Sequence, residues 1–185
     1  DSTRCRQEFT EGIIEDLSWL GIQWSPEVVI QSERLDLYAE ALGRLREQGL
    51  LYPCFCTRKD IVREIAAAGG APHDQADVVY PGICRDLSET LRRQRVAGGE
   101  AHAWRLDSRK AVERAGELNW TDLELGTQRV CMDRLGDVVL ARKDIAGSYH
   151  LAVSVDDAGQ GVTLVTRGED LLGSTHVHRL LQALL

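Results

Sequence analysis

The sequence predicts an α/β fold, and three observations carry that reading. Two amphipathic helical stripes occupy the first forty-nine residues. Residues 101–142 break into short strand-like runs separated by turn residues. Between these regions lies a segment dense in cysteine, Cys54-Phe55-Cys56 and then Tyr80-Pro81-Gly82-Ile83-Cys84.

Taken in order, residues 7–20 place Phe9, Ile13, Leu17 and Leu20 on one helical face, closed by Gly21. Val28-Val29-Ile30 reads as extended. Ser32 is a suitable N-cap for a second helix with Leu35, Tyr38, Leu42 and Leu45 inward, ending at Gly49. Both stripes are expected to be core. Thr57 caps a third helix, with Asp60 as its capping-box partner, and that helix runs out at Ala66-Ala67-Ala68-Gly69-Gly70. A Gly/Pro-rich loop spans 69–82, and another helix spans 87–96 before Gly98-Gly99. Strand-like pieces follow at 102–106, 118–125, 129–132 and 138–142. Residues 151–155 alternate as a strand would, 162–166 form another apolar run, and a last helix starts at a Ser174 cap.

The totals narrow the function classes. With 185 residues, 43% hydrophobic and 28% charged, the chain can bury a core and is not of disordered composition. A net charge of −7 argues against a general polyanion coat but permits a local basic face. Arg58, Lys59 and Arg63, or Arg92, Arg93 and Arg95, are the candidate clusters, although an ordinary solvated helix face explains either. No apolar run is long enough for a bilayer, and no basic-then-apolar leader opens the sequence, so a cytoplasmic protein is expected. The sequence reads as cut at both ends.

Three of the five cysteines lie between residues 54 and 84. Two thiols one residue apart plus a third suggest a soft-metal site rather than a disulfide. Zinc takes four tetrahedral ligands, and the fourth is left open among Tyr80, His73 and a more distant group. Cys5 and Cys131 have no partner at metal spacing and are expected to be buried. Asp156-Asp157 reads as a solvated helix end, and His176 and His178, two apart, as surface residues.

Several segments agree with a known family in order and spacing. They are Tyr149-His150-Leu151-Ala152, Val155-Asp156-Asp157, Gln160-Gly161-Val162-Thr163, Arg167-Gly168-Glu169-Asp170-Leu171-Leu172, and Tyr80 through Arg85. Together with Asp1-Ser2-Thr3-Arg4, these resemble the catalytic domain of glutamyl-tRNA synthetases, and more closely the short glutamyl-queuosine tRNA(Asp) synthetase paralogues. The resemblance covers essentially the whole chain. Ordinary members that carry zinc commonly close the site with Cys-x-His, whereas Arg85-Asp86 follow Cys84 here.

The resemblance implies a class I synthetase catalytic core of Rossmann type, split by a zinc-containing insertion. Residues 1–51 would belong to the first half of the core, 52–136 to the insertion near the nucleic acid, and 137–185 to the second half. It implies that 151–157 is a crossover helix despite its alternation. It implies ATP-dependent activation of glutamate, with Mg2+, and transfer to queuosine in tRNA(Asp) by a monomer with no membrane partner. Tyr149 and Arg167 match the family's glutamate-binding positions, Arg167 at a strand end. Cys54, Cys56, Tyr80 and Cys84 match the ligands of one structural zinc, with His73 as runner-up for the fourth. The HIGH-like and KMSKS-like ATP motifs are not in this sequence. An ordinary glutamyl-tRNA synthetase fragment is one alternative, and a catalytically inactive, zinc-stabilised RNA-binding protein is another.

Overall fold

The computed structural model describes residues 6–25, 27–67, 79–133, 135–142 and 147–185, with backbone alone for 65–67. His73 and Cys5, and the loop at 69–78, lie outside the described residues. The chain divides after Gln31 into two compact units.

The first unit carries helix α1 (Gln7–Trp19). It stops as the sequence predicts, with Gly21 N–H on the Ser18 carbonyl and Ile22 N–H on the Leu17 carbonyl, both at 3.0 Å. Its apolar stripe is not core: Phe9, Ile13 and Leu20 are exposed. An amphipathic pattern identifies the face a helix would bury, but among the described residues of this short unit none forms an interior to receive it. Val28-Val29-Ile30 lies outside any strand.

The second unit begins at Ser32, within a 3-10 turn (Gln31–Glu33), and continues with α2 (Leu35–Glu47). Ser32 therefore does not cap α2, which begins after Arg34 with no side-chain cap. Gly49, at φ 71°, supplies the left-handed residue that lets Leu50 N–H reach the Leu45 carbonyl at 3.1 Å. Strand β1 (Leu51–Cys54) and helix α3 (Arg58–Ala67) follow. The capping box at α3 is as read: Asp60 accepts from the Thr57 backbone at 2.9 Å and the Thr57 hydroxyl accepts from Asp60 N–H at 3.3 Å. Helix α4 (Glu89–Ala97) is capped by Ser88, whose hydroxyl accepts from Leu91 N–H.

Next come β2 (Ala103–Leu106), α5 (Ser108–Ala115), the hairpin β3 (Asn119–Asp122) and β4 (Gly126–Arg129), and β5 (Val139–Arg142). Helix α5 replaces part of the expected strand-rich stretch. Its signal is present in the sequence: Asp107 caps it by accepting from Lys110 N–H, Ala111 faces inward, and Gly116 ends it. Strand β4 lies earlier than the predicted 129–132.

Helix α6 (Tyr149–Gly159) confirms the helical reading of 151–157. The Ser148 hydroxyl accepts from Leu151 N–H, and Leu151, Ala152 and Ser154 face inward, which is helical and not alternating spacing. Residues 162–168 form no strand and are mostly exposed. A 3-10 turn, Glu169–Leu171, precedes α7 (Ser174–Leu184). Ser174 is the first helical residue, and Gly173 occupies the cap with no side-chain bond.

Strands β1, β2 and β5 form an antiparallel sheet in that order, with Leu51 opposite Leu106 and Trp104 opposite Ala141. Parallel pairing among the described residues is confined to the bridge between Tyr80 and Gly136. The parallel Rossmann-type sheet implied by the resemblance is thus not among the described strands. Tyr38, Leu45, Leu106, Leu140, Leu151, Val177, Leu180 and Leu181 form the core where α2, α6 and α7 meet this sheet. Each fully buried Leu contributes about 2 kcal/mol of hydrophobic stabilisation. No helix among the described residues is long and apolar enough to cross a membrane.

Candidate functional site

Two clusters gather the residues singled out in the sequence. The first joins the start of α6, the irregular segment before Gly168, and the buried face of α7. Tyr149, the first residue of α6, is 49% exposed, so it is not a core tyrosine. Its ring packs edge-on against His178 with centroids 5.5 Å apart. Arg167 does not sit at a strand end as expected. Its Nη1 lies 2.6 Å from His178 Nδ1.

The histidines complete this cluster. His178 Nε2 lies 3.1 Å from His150 Nδ1. An arginine can only donate, so His178 Nδ1 accepts, its Nε2 carries the proton, and His150 Nδ1 accepts in turn. Burial, then the Arg167 charge, holds His178 down to about 3, keeping it neutral. His150 is lowered as well, first by burial. His178 is 3% exposed, which corrects its reading as a surface residue. The sequence signal was its place with Val177 and Leu181 on one face of the last helix. His176 points elsewhere and is not a plain surface residue either: its Nδ1 lies 3.3 Å from both Trp120 Nε1 and Cys131 N.

Nearby, Asp156 overturns the expectation of a solvated pair. It is buried, accepts from the Tyr38 hydroxyl at 2.7 Å and pairs with Arg34 at 3.0 Å. This joins α6 to α2 and is a structural contact.

The second cluster is the cysteine site. Cys54 ends β1, Cys56 precedes the α3 cap, and Cys84 comes from the turn after Tyr80. The sulfurs of Cys54, Cys56 and Cys84 all lie within 4.8 Å of one another. Cys56 Sγ is 3.4 Å from Cys84 Sγ, and Tyr80 Oη lies 3.4 Å from Cys54 Sγ and 3.6 Å from Cys56 Sγ. A tetrahedral cation with sulfur ligands at about 2.3 Å sets its donors about 3.7 Å apart, so the set fits such an ion. Two backbone bonds prepare it: Phe55 N–H donates to Cys84 Sγ at 3.3 Å, and Cys84 N–H donates to Tyr80 Oη at 2.8 Å. The hydrogen bond from Cys84 pulls Cys54 down to about 4, while the same bond pushes Cys84 up. Burial likewise pushes Tyr80 up.

Gly82 shapes the turn that returns Cys84. It has φ 88°, and a Cβ there would meet the Arg85 guanidinium at 2.5 Å. Behind the turn that bears Cys84, Arg85 reaches Asp137. Fully buried, it accepts from Tyr52 Oη at 2.5 Å, Arg85 Nη1 at 2.8 Å and the Ser108 hydroxyl at 2.7 Å. Arg105 donates to its carbonyl at 2.6 Å while stacking 3.9 Å over the Tyr80 ring.

Of the two basic clusters, Arg63 pairs with Asp60 at 3.0 Å, Arg93 with Glu89, and Arg95 with Glu100 at 2.6 Å. Arg92 donates to the Arg85 carbonyl. These partners favour the solvated-face reading over a phosphate-binding one. Cys131 is exposed and donates to Asp133 at 3.3 Å, contrary to its expected burial, because it follows the edge of the β3–β4 hairpin.

Comparisons with known proteins agree with this architecture. The family of class I tRNA synthetases (E and Q), catalytic domain, matches residues 1–185. The glutamyl-Q tRNA(Asp) synthetase of Rhodobacter capsulatus is 41% identical over all of this chain and 67% of its own length. That of Nocardia farcinica is 43% identical over all of this chain and 55% of its own length. The crystal structure of glutamate-tRNA synthetase from Elizabethkingia anophelis superposes with a TM-score of 0.75 at 26% identity, covering all of this chain and 39% of that one. The chain thus spans 55 to 67% of the length of these two curated relatives. With the family's characteristic segments, the α/β architecture and the whole-chain match in agreement, the chain belongs to the class I (E and Q) tRNA synthetase catalytic-domain family and is similar to its glutamyl-Q tRNA(Asp) synthetases.

Proposed function

We propose that this chain forms part of an enzyme that activates glutamate with ATP and Mg2+, without needing tRNA, and transfers the glutamyl group to queuosine in tRNA(Asp). The observation that carries the reading is whole-chain identity of 41% and 43% to proteins named glutamyl-Q tRNA(Asp) synthetase. Activation joins the glutamate carboxylate to the α-phosphate of ATP and releases pyrophosphate, and the nucleoside hydroxyl then displaces AMP. Such chemistry depends on positioning and charge neutralisation more than on covalent work by the protein.

Tyr149 and Arg167 are the residues assigned to glutamate. A guanidinium has five N–H donors, and Arg167 spends one on His178. The planar fork suits a carboxylate, and the half-exposed Tyr149 hydroxyl offers an orienting contact. Their shared neighbour, His178, supports the pairing.

The cysteine cluster is assigned to one structural zinc held by Cys54, Cys56, Cys84 and Tyr80. A zinc saturated by protein ligands supplies crosslinking and no open position for water. Tyr80 is preferred to His73 because its hydroxyl already lies at donor spacing from two sulfurs. The four described cysteines are unpaired thiols, which suits a reducing compartment such as the cytoplasm. Glutamylation of tRNA(Asp) prepared with and without queuosine tests the acceptor. Labelling only of the queuosine form is expected, and equal labelling of both would contradict it.

A further inference from the structure

The Arg167 guanidinium is held by a side chain and not by regular backbone structure. Residues 162–168 form no ladder, and Val162, Leu164 and Val165 are exposed. A long arginine on such a segment would sample many rotamers, at a cost in ordering whenever a carboxylate bound. Instead its Nη1 meets His178 Nδ1 at 2.6 Å. His178 is itself fixed from three sides. It lies on the buried face of α7, the Tyr149 ring stands edge-on to it, and His150 Nδ1 takes its second nitrogen at 3.1 Å.

We infer that His178, anchored by His150, is a positioning residue that presets the Arg167 guanidinium and the Tyr149 ring for the substrate carboxylate. It touches no reacting atom in this account. The inference rests on the glutamate-pocket reading and adds a residue that sequence motifs do not mark. The tautomer is its chemical core: a protonated His178 would turn an acceptor into a second cation facing Arg167. Burial, and then the Arg167 charge, keep it neutral. On the arginine side lies Asp157, whose carboxyl is pushed up by burial, with the Arg167 charge opposing that shift in part.

The test is steady-state ATP–pyrophosphate exchange by the full-length protein, comparing His178→Leu, His178→Asn and Arg167→Ala. Loss of one charge-assisted hydrogen bond should raise the glutamate KM of His178→Leu about tenfold or more. Its kcat and ATP KM should stay near wild type. In His178→Asn, where the amide oxygen can take the place of Nδ1, most of the glutamate affinity should return. Equal losses in kcat and in both KM values, or no recovery in His178→Asn, would reduce His178 to a packing residue and overturn the inference. So would an unchanged glutamate KM in His178→Leu beside a raised one in Arg167→Ala. If Arg167→Ala itself leaves the glutamate KM unchanged, the pocket reading fails. Should His178→Leu not fold, His150→Leu replaces it. Several-fold weaker glutamate use is then expected, and an unchanged KM would overturn the inference.

Discussion

Tyr52 and Asp137, eighty-five residues apart in sequence, meet in the interior through a 2.5 Å hydrogen bond from the Tyr52 hydroxyl to Asp137 Oδ2. The same carboxylate receives Arg85 and Ser108, so it ties strand β1, the turn bearing Cys84 and the start of α5 to one point. A fully buried carboxylate with this many donors holds the cysteine region onto the sheet. It also explains why burial and Asp137 together push the Tyr52 hydroxyl far above its usual range.

Removing that acceptor takes a partner from Tyr52, Arg85 and Ser108 at once. Asp137→Ala is expected to lose about 3–5 kcal/mol of stability, the scale for breaking a buried ion pair. Asp137→Asn, which keeps one acceptor oxygen but neither the second nor the charge, should lose less. Urea midpoints measure both, and equal, small losses would contradict the hub role.

The zinc assignment makes a stoichiometric claim. Purified protein should carry about one zinc per chain by elemental analysis, as expected for a single four-ligand site. Cys54→Ser should lose both the metal and thermal stability, and a strong chelator should lower the melting temperature of the wild type. Metal-free protein with an unchanged melting temperature would refute the assignment.

Acid should act through the buried histidines. In the unfolded chain they titrate near 6.5, whereas in the folded chain burial lowers both, His178 to about 3. The unfolded state therefore binds more protons between about pH 3 and pH 6.5. The stability they contribute is complete above pH 6.5 and declines as pH falls toward about 3. The His178→Leu variant lacks one of these groups and should lose less stability than wild type between pH 7 and 4.5 in urea titrations. Parallel curves for the two proteins would contradict a buried neutral His178.

The buried ion pair at Asp156 offers a separate check on packing. Asp156→Ala leaves Arg34 and the Tyr38 hydroxyl facing one another without their shared acceptor. A loss of about 3 kcal/mol is expected by denaturant titration. A change within 0.5 kcal/mol, the scale of an ordinary surface substitution, would return Asp156 to the solvated helix end read from sequence.

What could be read in the sequence depended on how local its cause was. Thr57 with Asp60, and Gly49 after α2, act within a few residues, and the structure bears out this cap and this stop. The convergence of Cys54, Cys56 and Cys84 was legible because metal-ligand chemistry restricts residue type and spacing, whereas Tyr80 as their companion came from the family resemblance. Helix α6 was legible only through family resemblance, since the alternation of Leu151, Val153 and Val155 favours a strand. Asp137, Asp156 and His178 were misjudged or passed over for one physical reason. A polar residue is buried when distant chain brings it donors, and Tyr52, Tyr38 and Arg167 are not visible from its own neighbours. Cys131 and the α1 stripe failed in the opposite sense, because apolar character does not specify what will cover it.

The central claim is that this family member activates glutamate unaided by tRNA, and glutamate-dependent ATP–pyrophosphate exchange on the full-length protein tests it most directly. Exchange that requires glutamate and proceeds without tRNA is the expected result. Exchange that strictly needs tRNA would point to an ordinary glutamyl-tRNA synthetase, and no exchange under either condition would contradict an adenylating enzyme altogether.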